Sequence, residues 1–235
     1  MSPQQNHLLS DLPADESGAF ARHLKQVLLH KGQVLLEAGE VPRHVYFPVG
    51  ALVSMLNDSR DGDSLETYMF GKTCMVGVAT VGQPSFYRAQ VRSAGTAYQL
   101  SVSALEQLRR TCPTYSRHAV AALNRMVMQL SQDLVCGKRH VLEQQLIRWM
   151  LSTLDRCQDA CIPITHQELS EILGVRREAV TLKLKTMVER EEITLRRGWI
   201  EVLDRQALEA RVCECYWLVQ PGGRVTGAQS QGLPS

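Results

Sequence analysis

The residues best suited to chemistry lie in one segment near the C-terminus, where charged side chains recur at helical spacing. Arg176 and Arg177 fall in the first turn of a predicted helix, and Glu178, Leu182 and Lys185 project from its outer side. Charged side chains on a face of this kind can hydrogen-bond to the edges of bases in the major groove of DNA. The pattern therefore predicts a helix that reads DNA.

Two short helices joined by a tight turn would position this face. Thr165 and Glu168 form a predicted capping box, because each side chain can reach the backbone amide of the other. Gly174 lies where the first helix must end and the chain must turn. The apolar residues at helical spacing are Leu169, Ile172, Leu173, Val180, Leu184, Met187 and Val188. An ordinary helical hairpin with a solvated charged face is the alternative interpretation.

The residues after these helices favour the DNA-binding interpretation. Residues 193–195 and 199–203 are typical of two strands, and Gly198 supplies the positive φ of a tight hairpin between them. Arg196 and Arg197 would lie at the tip of this hairpin, where a phosphate backbone could be contacted. Two helices followed by such a hairpin predict a winged helix.

Composition limits the classes of protein to consider. The chain has 235 residues, of which 44% are hydrophobic, so it can form packed cores. Its net charge is only +2, but the predicted second helix has a local excess of positive charge, with Arg176, Arg177, Lys183 and Lys185 against Glu178 alone. No run approaches the roughly 18 apolar residues of a membrane span, and the first residues lack a secretory pattern. We therefore expect a cytoplasmic protein that has no membrane partner.

The cysteines give little indication of a metal or redox site. Cys157 and Cys161 form one close pair, and Cys213 and Cys215 form another, but neither has the repeated CxxC spacing of structural zinc sites. The others are Cys74, Cys112 and Cys136. We expect free thiols, no metal and no cofactor, with a redox or metal role as the alternative.

The first half of the chain is typical of many short strands separated by turn residues. The runs are 27–29, 34–36, 45–47, 52–56, 65–70 and 88–100. They predict an antiparallel β-sandwich or barrel. An enzyme built on such a barrel, for example a cupin-like metal enzyme, would need clustered ligands, but His30 and His44 have no close histidine partner. The sequence therefore predicts no catalytic residue.

A long helix is predicted over residues 114–136, ended by Gly137 and followed by another helix over 138–156. Its apolar residues at alternating steps of three and four are Val120, Leu123, Val127, Leu130 and Leu134. This seam could pack on the β-domain, but a narrow stripe favours pairing with a second copy. A two-fold dimer would bind a near-palindromic operator.

The order of these parts, together with the segment ITHQELSEILGVRREAVTLKLKTM, resembles the Crp/Fnr family of bacterial transcription regulators. The resemblance implies an α+β fold that begins with an antiparallel β-barrel or jelly roll of the cyclic-nucleotide-binding type, residues 1–111. A long dimerisation helix (112–137), a winged helix-turn-helix domain (138–220) and a flexible tail (221–235) would follow. The implied function is a dimeric, sequence-specific transcription regulator, not an enzyme, whose partners are double-stranded DNA, a second copy and RNA polymerase.

The resemblance also implies roles for single residues. Arg177 would hydrogen-bond to guanine and Glu178 to cytosine, while Thr165 and Gln167 would contact phosphates. Leu182 lies where the family commonly has an arginine, which suggests contact with a thymine methyl group or altered specificity. The predicted DNA contacts are Thr165, Gln167, Arg176, Arg177, Glu178, Thr181, Leu182, Lys185, Arg196 and Arg197.

The sensory half departs from the family pattern. Members that bind cyclic AMP have a Gly-Glu pair for the ribose and an Arg-Ser/Thr pair for the phosphate. Here Tyr87 and Arg88 lie at the second pair, and no Asp or Glu occurs between Thr67 and Leu105, so a ribose hydroxyl would lack its acceptor. We expect a retained fold that does not bind cyclic AMP in the usual way, with Tyr87 and Arg88 as candidate ligand residues. The effector is open; a cyclic mono- or dinucleotide and a redox or haem signal are alternatives.

Overall fold

A computed structural model describes residues 2–58, 64–77, 83–156 and 161–220 of the chain. Within these ranges the strands are β1 (Lys25–Leu29), β2 (Val34–Leu36), β3 (His44–Pro48), β4 (Leu52–Asp58), β5 (Ser64–Phe70), β6 (Arg88–Ser93), β7 (Gly95–Ser101), β8 (Cys161–Pro163), β9 (Ile193–Arg196) and β10 (Trp199–Val202). The helices are α1 (Ala14–Ala21), α2 (Val102–Thr111), α3 (Pro113–Arg139), α4 (Leu142–Leu154), α5 (His166–Leu173), α6 (Arg177–Glu189), α7 (Arg205–Arg211) and α8 (Glu214–Leu218). The predicted tail, residues 221–235, and Cys157 lie outside the described residues.

Strands β1 to β7 build an antiparallel β-domain of two sheets, with strand orders β1-β7-β3 and β2-β6-β4-β5. Apolar side chains from both sheets, such as Phe47 and Phe70, share one core. The run 88–100, predicted as one strand, forms two, because the chain changes sheet before Gly95. A Cβ at Gly95 would lie 2.4 Å from the Gly50 carbonyl, so only glycine fits there. The predicted jelly-roll form of the domain is confirmed.

Helix α3 runs for 27 residues after the β-domain. Pro113 opens it at a position where an N–H would have no intrahelical partner. The prediction that Gly137 ends this helix was wrong, since α3 continues to Arg139. A helical glycine costs only about 1 kcal/mol relative to alanine, and the positive charges of Lys138 and Arg139 suit the C-terminal end of the helix dipole. Helix α4 accordingly begins at Leu142 and not at residue 138.

The C-terminal domain combines the helix pair α5–α6 with a small antiparallel sheet of order β8-β10-β9. The capping box of Thr165 and Glu168 starts α5 as predicted, and Gly174 ends it in the left-handed conformation with φ 63°. Strands β9 and β10 form a hairpin whose turn contains Gly198, with φ 77°. The predicted winged helix is confirmed.

The two domains pack directly against each other. Leu52 of β4 and Met69 of β5 belong to the same buried cluster as Trp149 of α4. The Arg156 guanidinium lies over the ring of Tyr68, 5.5 Å from its centroid. In the described part of the chain, no helix has the length and apolar character needed to span a membrane.

Candidate nucleic-acid interface

Helix α6 buries one side and exposes the other. Val180, Leu184 and Met187 are fully buried in the core of the C-terminal domain. The exposed residues are Arg177, Glu178, Thr181, Leu182, Lys185, Val188 and Glu189. Val188, predicted on the apolar side, therefore lies outside the core, since it is 36% exposed in the last turn of the helix. Leu182 is 64% exposed, and an apolar side chain on this polar face suits contact with an apolar group such as a thymine methyl. The residues predicted to read DNA are therefore all exposed on α6.

The positive charge of α6 is concentrated at its N-terminal end. Arg176 is the N-cap and Arg177 the first helical residue, and no described residue forms an ion pair with either side chain. By contrast, Glu143 of α4 holds Arg190 at 2.6 Å and Lys183 at 3.7 Å. Because the helix dipole also favours negative charge at an N-terminus, this end of α6 is the part best able to attract a phosphate or a base acceptor.

The two residues predicted at phosphates already have partners in the protein. The Thr165 hydroxyl accepts a hydrogen bond of 3.1 Å from the Glu168 amide, and the Glu168 carboxylate accepts one of 2.7 Å from the Thr165 amide. Gln167 Nε2 donates to Glu171 Oε1 at 2.7 Å. Thr165 and Gln167 are both exposed, so a phosphate would have to share or replace these partners.

A hydrogen bond of 2.9 Å between His166 Nδ1 and Thr181 Oγ1 fixes α5 against α6. Burial lowers the pKa of His166, and the nearby positive charge of Arg177 lowers it further. Both effects favour the neutral form of the imidazole. The contact helps to hold the reading face of α6 in one orientation relative to α5.

The β9–β10 hairpin carries the two arginines predicted at its tip. Arg196 lies 3.1 Å from the Glu201 carboxylate, and its side chain is 72% exposed. Arg197 is also exposed, next to Gly198. An exposed ion pair of this kind is worth little, so both guanidinium groups are available to a phosphate backbone.

The apolar residues of the predicted dimer seam divide between two environments. Val120, Val127 and Leu134 are 57%, 62% and 62% exposed on one side of α3. Leu123 and Leu130 are partly buried against the core of the β-domain. Two of the five seam residues thus pack within the chain. The other three, Val120, Val127 and Leu134, are spaced seven apart and form the exposed apolar stripe of α3.

Tyr87 and Arg88, the candidate ligand residues of the sensor, are engaged within the β-domain. The Tyr87 side chain is fully buried, and its hydroxyl oxygen accepts a hydrogen bond of 3.2 Å from the Gly77 amide. Arg88 lies 3.1 Å from the Asp58 carboxylate, and its hydrogen bonds lower the pKa of Asp58. Tyr87 is therefore inaccessible to a ligand, and Arg88, whose side chain is 21% exposed, would have to share or exchange its carboxylate partner.

Glu66, which precedes the stretch without Asp or Glu between Thr67 and Leu105, also has partners within the β-domain. Glu66 of β5 lies 2.6 Å from Arg92 Nη2, and Ser54 donates to the same carboxylate oxygen. The side chains of Arg92 and Glu66 are only 10% and 4% exposed. All of these bonds go to Oε2, and the carboxylate is almost completely buried, so a ribose hydroxyl would have little access to it.

Two family models match the chain, one to each half. The model of the cyclic nucleotide-binding domain matches residues 26–112, and that of the Crp-like helix-turn-helix domain matches residues 144–211. The chain belongs to the Crp/Fnr type of transcription regulator. No curated protein sequence matches it. Proteins of this type regulate transcription through a helix-turn-helix domain and are not enzymes.

Solved structures share the fold of this regulator. FixK2 from Bradyrhizobium japonicum has a TM-score of 0.69 at 14% identity, covering 81% of this chain and 98% of that one. A CRP-family transcriptional regulator from Thermus thermophilus has a TM-score of 0.63 at 17% identity, covering 78% and 95%. CLP, a c-di-GMP-responsive global regulator from Xanthomonas campestris, has a TM-score of 0.62 at 16% identity, covering 82% and 100%.

Two features of the regulator were not predicted from its sequence. The first is a cavity of about 730 Å³ between the domains, whose lining includes Lys72, Arg125, Arg156 and Arg205. No sequence signal could have identified it, because its basic residues come from separate elements. The second brings together the side chains of Cys136, His140, Cys213 and Cys215. The short spacing of Cys136 and His140, together with the close pair Cys213 and Cys215, was the available signal for this cluster.

Proposed function

We propose that this regulator binds a near-palindromic DNA operator as a homodimer and reads bases with Arg177 and Glu178. The observation that supports this most directly is the exposed face of α6, which presents both side chains next to a helix N-terminus that carries unpaired positive charge. Arginine pairs well with guanine and glutamate with cytosine in the major groove. Lys185, Arg196 and Arg197 would add contacts to phosphates.

The exposed stripe of α3 supports the homodimer. Three large apolar residues repeated every seventh position on one helix face match the spacing at which two helices pack together. A two-fold axis along this stripe would place two copies of α6 about 34 Å apart, in successive major grooves. RNA polymerase would be a further partner where the bound dimer activates a promoter.

The engaged state of Tyr87 and Arg88 supports a sensor that does not bind cyclic AMP in the usual way. A second candidate for the signal is an anionic ligand in the cavity between the domains. The lining also holds Asp11 and Asp155, and Asp155 pairs with Arg205 at 2.7 Å, so the excess positive charge comes from Lys72, Arg125 and Arg156. This excess would attract a phosphate-bearing molecule, and the volume of about 730 Å³ is that of a small-molecule site. A cyclic dinucleotide has this charge and size, and a regulator of the same fold responds to c-di-GMP.

Selection of binding sites from random DNA by the purified full-length protein tests the main proposal. We expect an enriched near-palindromic sequence with half-sites about 10 base pairs apart, and a bound species that contains two chains. The affinity should fall steeply as the salt concentration rises, because phosphate contacts release counterions. A monomer that retains no DNA at low ionic strength would refute the proposal.

Calorimetric titration with cyclic AMP, cyclic GMP and c-di-GMP tests the signal. We expect no heat with cyclic AMP. Binding of c-di-GMP that is lost in Arg125→Ala and retained in Lys25→Ala, a basic residue outside the cavity, would support the cavity as the site. Tight binding of cyclic AMP would contradict the assignment of a changed cyclic-nucleotide pocket.

A further inference from the structure

The C-terminal end of α3 meets the loop and helix that close the C-terminal domain in a cluster of sulfur and nitrogen atoms. Cys136 lies in the last turn of α3 and His140 directly follows that helix, whereas Cys213 and Cys215 lie at the start of α8. One ligand atom from each of these residues lies within 4.8 Å of all the others. The three cysteines are almost completely buried, with exposures of 0% to 3%, and together form a separate buried cluster. We propose that these four side chains bind a Zn²⁺ ion.

The spacing of the ligand atoms suits tetrahedral zinc. The Sγ atoms of Cys136 and Cys213 are 3.6 Å apart, and Cys215 Sγ lies 3.4 Å from His140 Nδ1. Zinc bonds of about 2.3 Å to sulfur and about 2.1 Å to nitrogen place neighbouring ligands of a tetrahedron about 3.5–3.8 Å apart. Three cysteines and one histidine are an ordinary ligand set for structural zinc, which leaves no open coordination position.

The groups around the cluster are those that support metal ligands. His140 Nε2 lies 3.2 Å from the Glu214 carboxylate, which would leave Nδ1 free to bind the metal. The Arg148 Nε donates to Cys136 Sγ at 3.2 Å, and Gln132 Nε2 donates to Cys215 Sγ at 3.0 Å. Hydrogen bonds to sulfur of this kind stabilise metal-bound thiolates.

The charge of a bound ion would be more than balanced by its ligands. On binding, the three thiols would release their protons to solvent, and Zn²⁺ with three thiolates carries one net negative charge. The Arg148 guanidinium, which is 8% exposed, lies next to Cys136 and would stabilise its thiolate, although it shares its charge with Asp133.

The position of the site gives it a structural role in the regulator. It would tie the end of α3 to α8, across the hinge through which α3 leads into the DNA-binding domain. Loss of the ion would release α8 and loosen the C-terminal domain relative to α3. The sequence alone led us to expect no metal, because the two halves of the ligand set are separated by more than seventy residues.

Elemental analysis of the full-length protein, purified under reducing conditions without chelators, tests the proposal. We expect about one zinc per chain, and tetrahedral thiolate spectra when Co²⁺ replaces zinc. The metal should be lost in Cys215→Ser. It should be retained in Cys112→Ser, since Cys112 is equally buried but lies outside the cluster.

A conservative variant keeps the test valid if Cys215→Ser fails to fold. The Glu214 side chain is 66% exposed, so Glu214→Gln should fold normally yet bind zinc about 10- to 100-fold more weakly in competition with a chelator. The proposal is overturned if the protein takes up no zinc on reconstitution, if it contains iron and sulfide instead, or if Cys215→Ser and Glu214→Gln both bind zinc as tightly as the wild type.

Discussion

The carboxylate of Glu16 accepts a hydrogen bond of 2.9 Å from the amide of Tyr115, 99 residues further along the chain. Its other oxygen accepts one of 2.9 Å from the Thr114 amide. These amides belong to the first turn of α3, where no intrahelical carbonyl is available, and the N-cap residue Cys112 offers no side-chain cap. A side chain of α1 therefore caps the helix that carries the apolar stripe.

We expect Glu16→Ala to lower the free energy of unfolding by about 1–3 kcal/mol, because it leaves the buried Tyr115 amide without an acceptor. Glu16→Gln should cost less, since its side-chain oxygen can still accept one of the two bonds. Urea denaturation at pH 7 measures both. The exposed neighbour Asp15 provides the control, and Asp15→Asn should change stability by less than about 0.5 kcal/mol.

The same contact gives a pH dependence. Burial alone would raise the pKa of Glu16, but the two amides that donate to its carboxylate bring the pKa below the ordinary value of 4.5. The carboxylate therefore stabilises the folded protein fully above the unfolded-state pKa, and this contribution is lost as the pH falls through the lower folded-state pKa. The stability difference between wild type and Glu16→Gln should shrink in acid. A difference that grows in acid would contradict this.

Replacement of Arg177 and of Arg196 should separate base recognition from phosphate contact. Arg177→Ala should cost about 1–3 kcal/mol on the selected operator and relax the preference at one base pair, because a base-edge contact is lost. Arg196→Ala should weaken all sequences alike and reduce the salt slope by about one. Titrations on the operator and on random DNA at several salt concentrations measure both effects. Equal losses on both DNAs for Arg177→Ala would refute its role.

A contact could be predicted from the sequence when its residues lie close together along the chain, and could not when they lie far apart. The capping box of Thr165 and Glu168 was predictable, because its partners are three residues apart and their geometry follows from helix formation. The Glu16 cap on Tyr115 was not predictable, because it depends on how α1 packs against α3. Leu123 lies on a helix as its heptad spacing predicted, and it packs against the β-domain. Periodicity alone cannot tell whether such a residue contacts the β-domain or a second chain.

Two glycines that look alike in the sequence should respond to alanine in opposite ways. Gly137 lies within α3, and Gly174 ends α5 with φ 63°. A Cβ would meet no atom within 4 Å at either position, so backbone conformation alone decides the outcome. Gly137→Ala should stabilise the protein by about 0.5–1 kcal/mol and Gly174→Ala should destabilise it by about 1 kcal/mol or more. Thermal unfolding measures both, and destabilisation by Gly137→Ala would mean that α3 does end there.

A charge in the exposed stripe of α3 should prevent self-association. Val127 is 62% exposed and lies between Val120 and Leu134, each seven residues away, so two-fold pairing would bury it against its own copy. In Val127→Glu the pairing would bury two like charges together, whereas the folded monomer would keep the new carboxylate in water. We expect sedimentation velocity to show a dimer for the wild type and a monomer for this variant.

The control is Val41→Glu, at a valine of 56% exposure outside the stripe, which should stay dimeric. Val127→Glu should also bind the operator far more weakly, because one chain contacts only a half-site. A dimer that persists in Val127→Glu would place the interface elsewhere on the molecule.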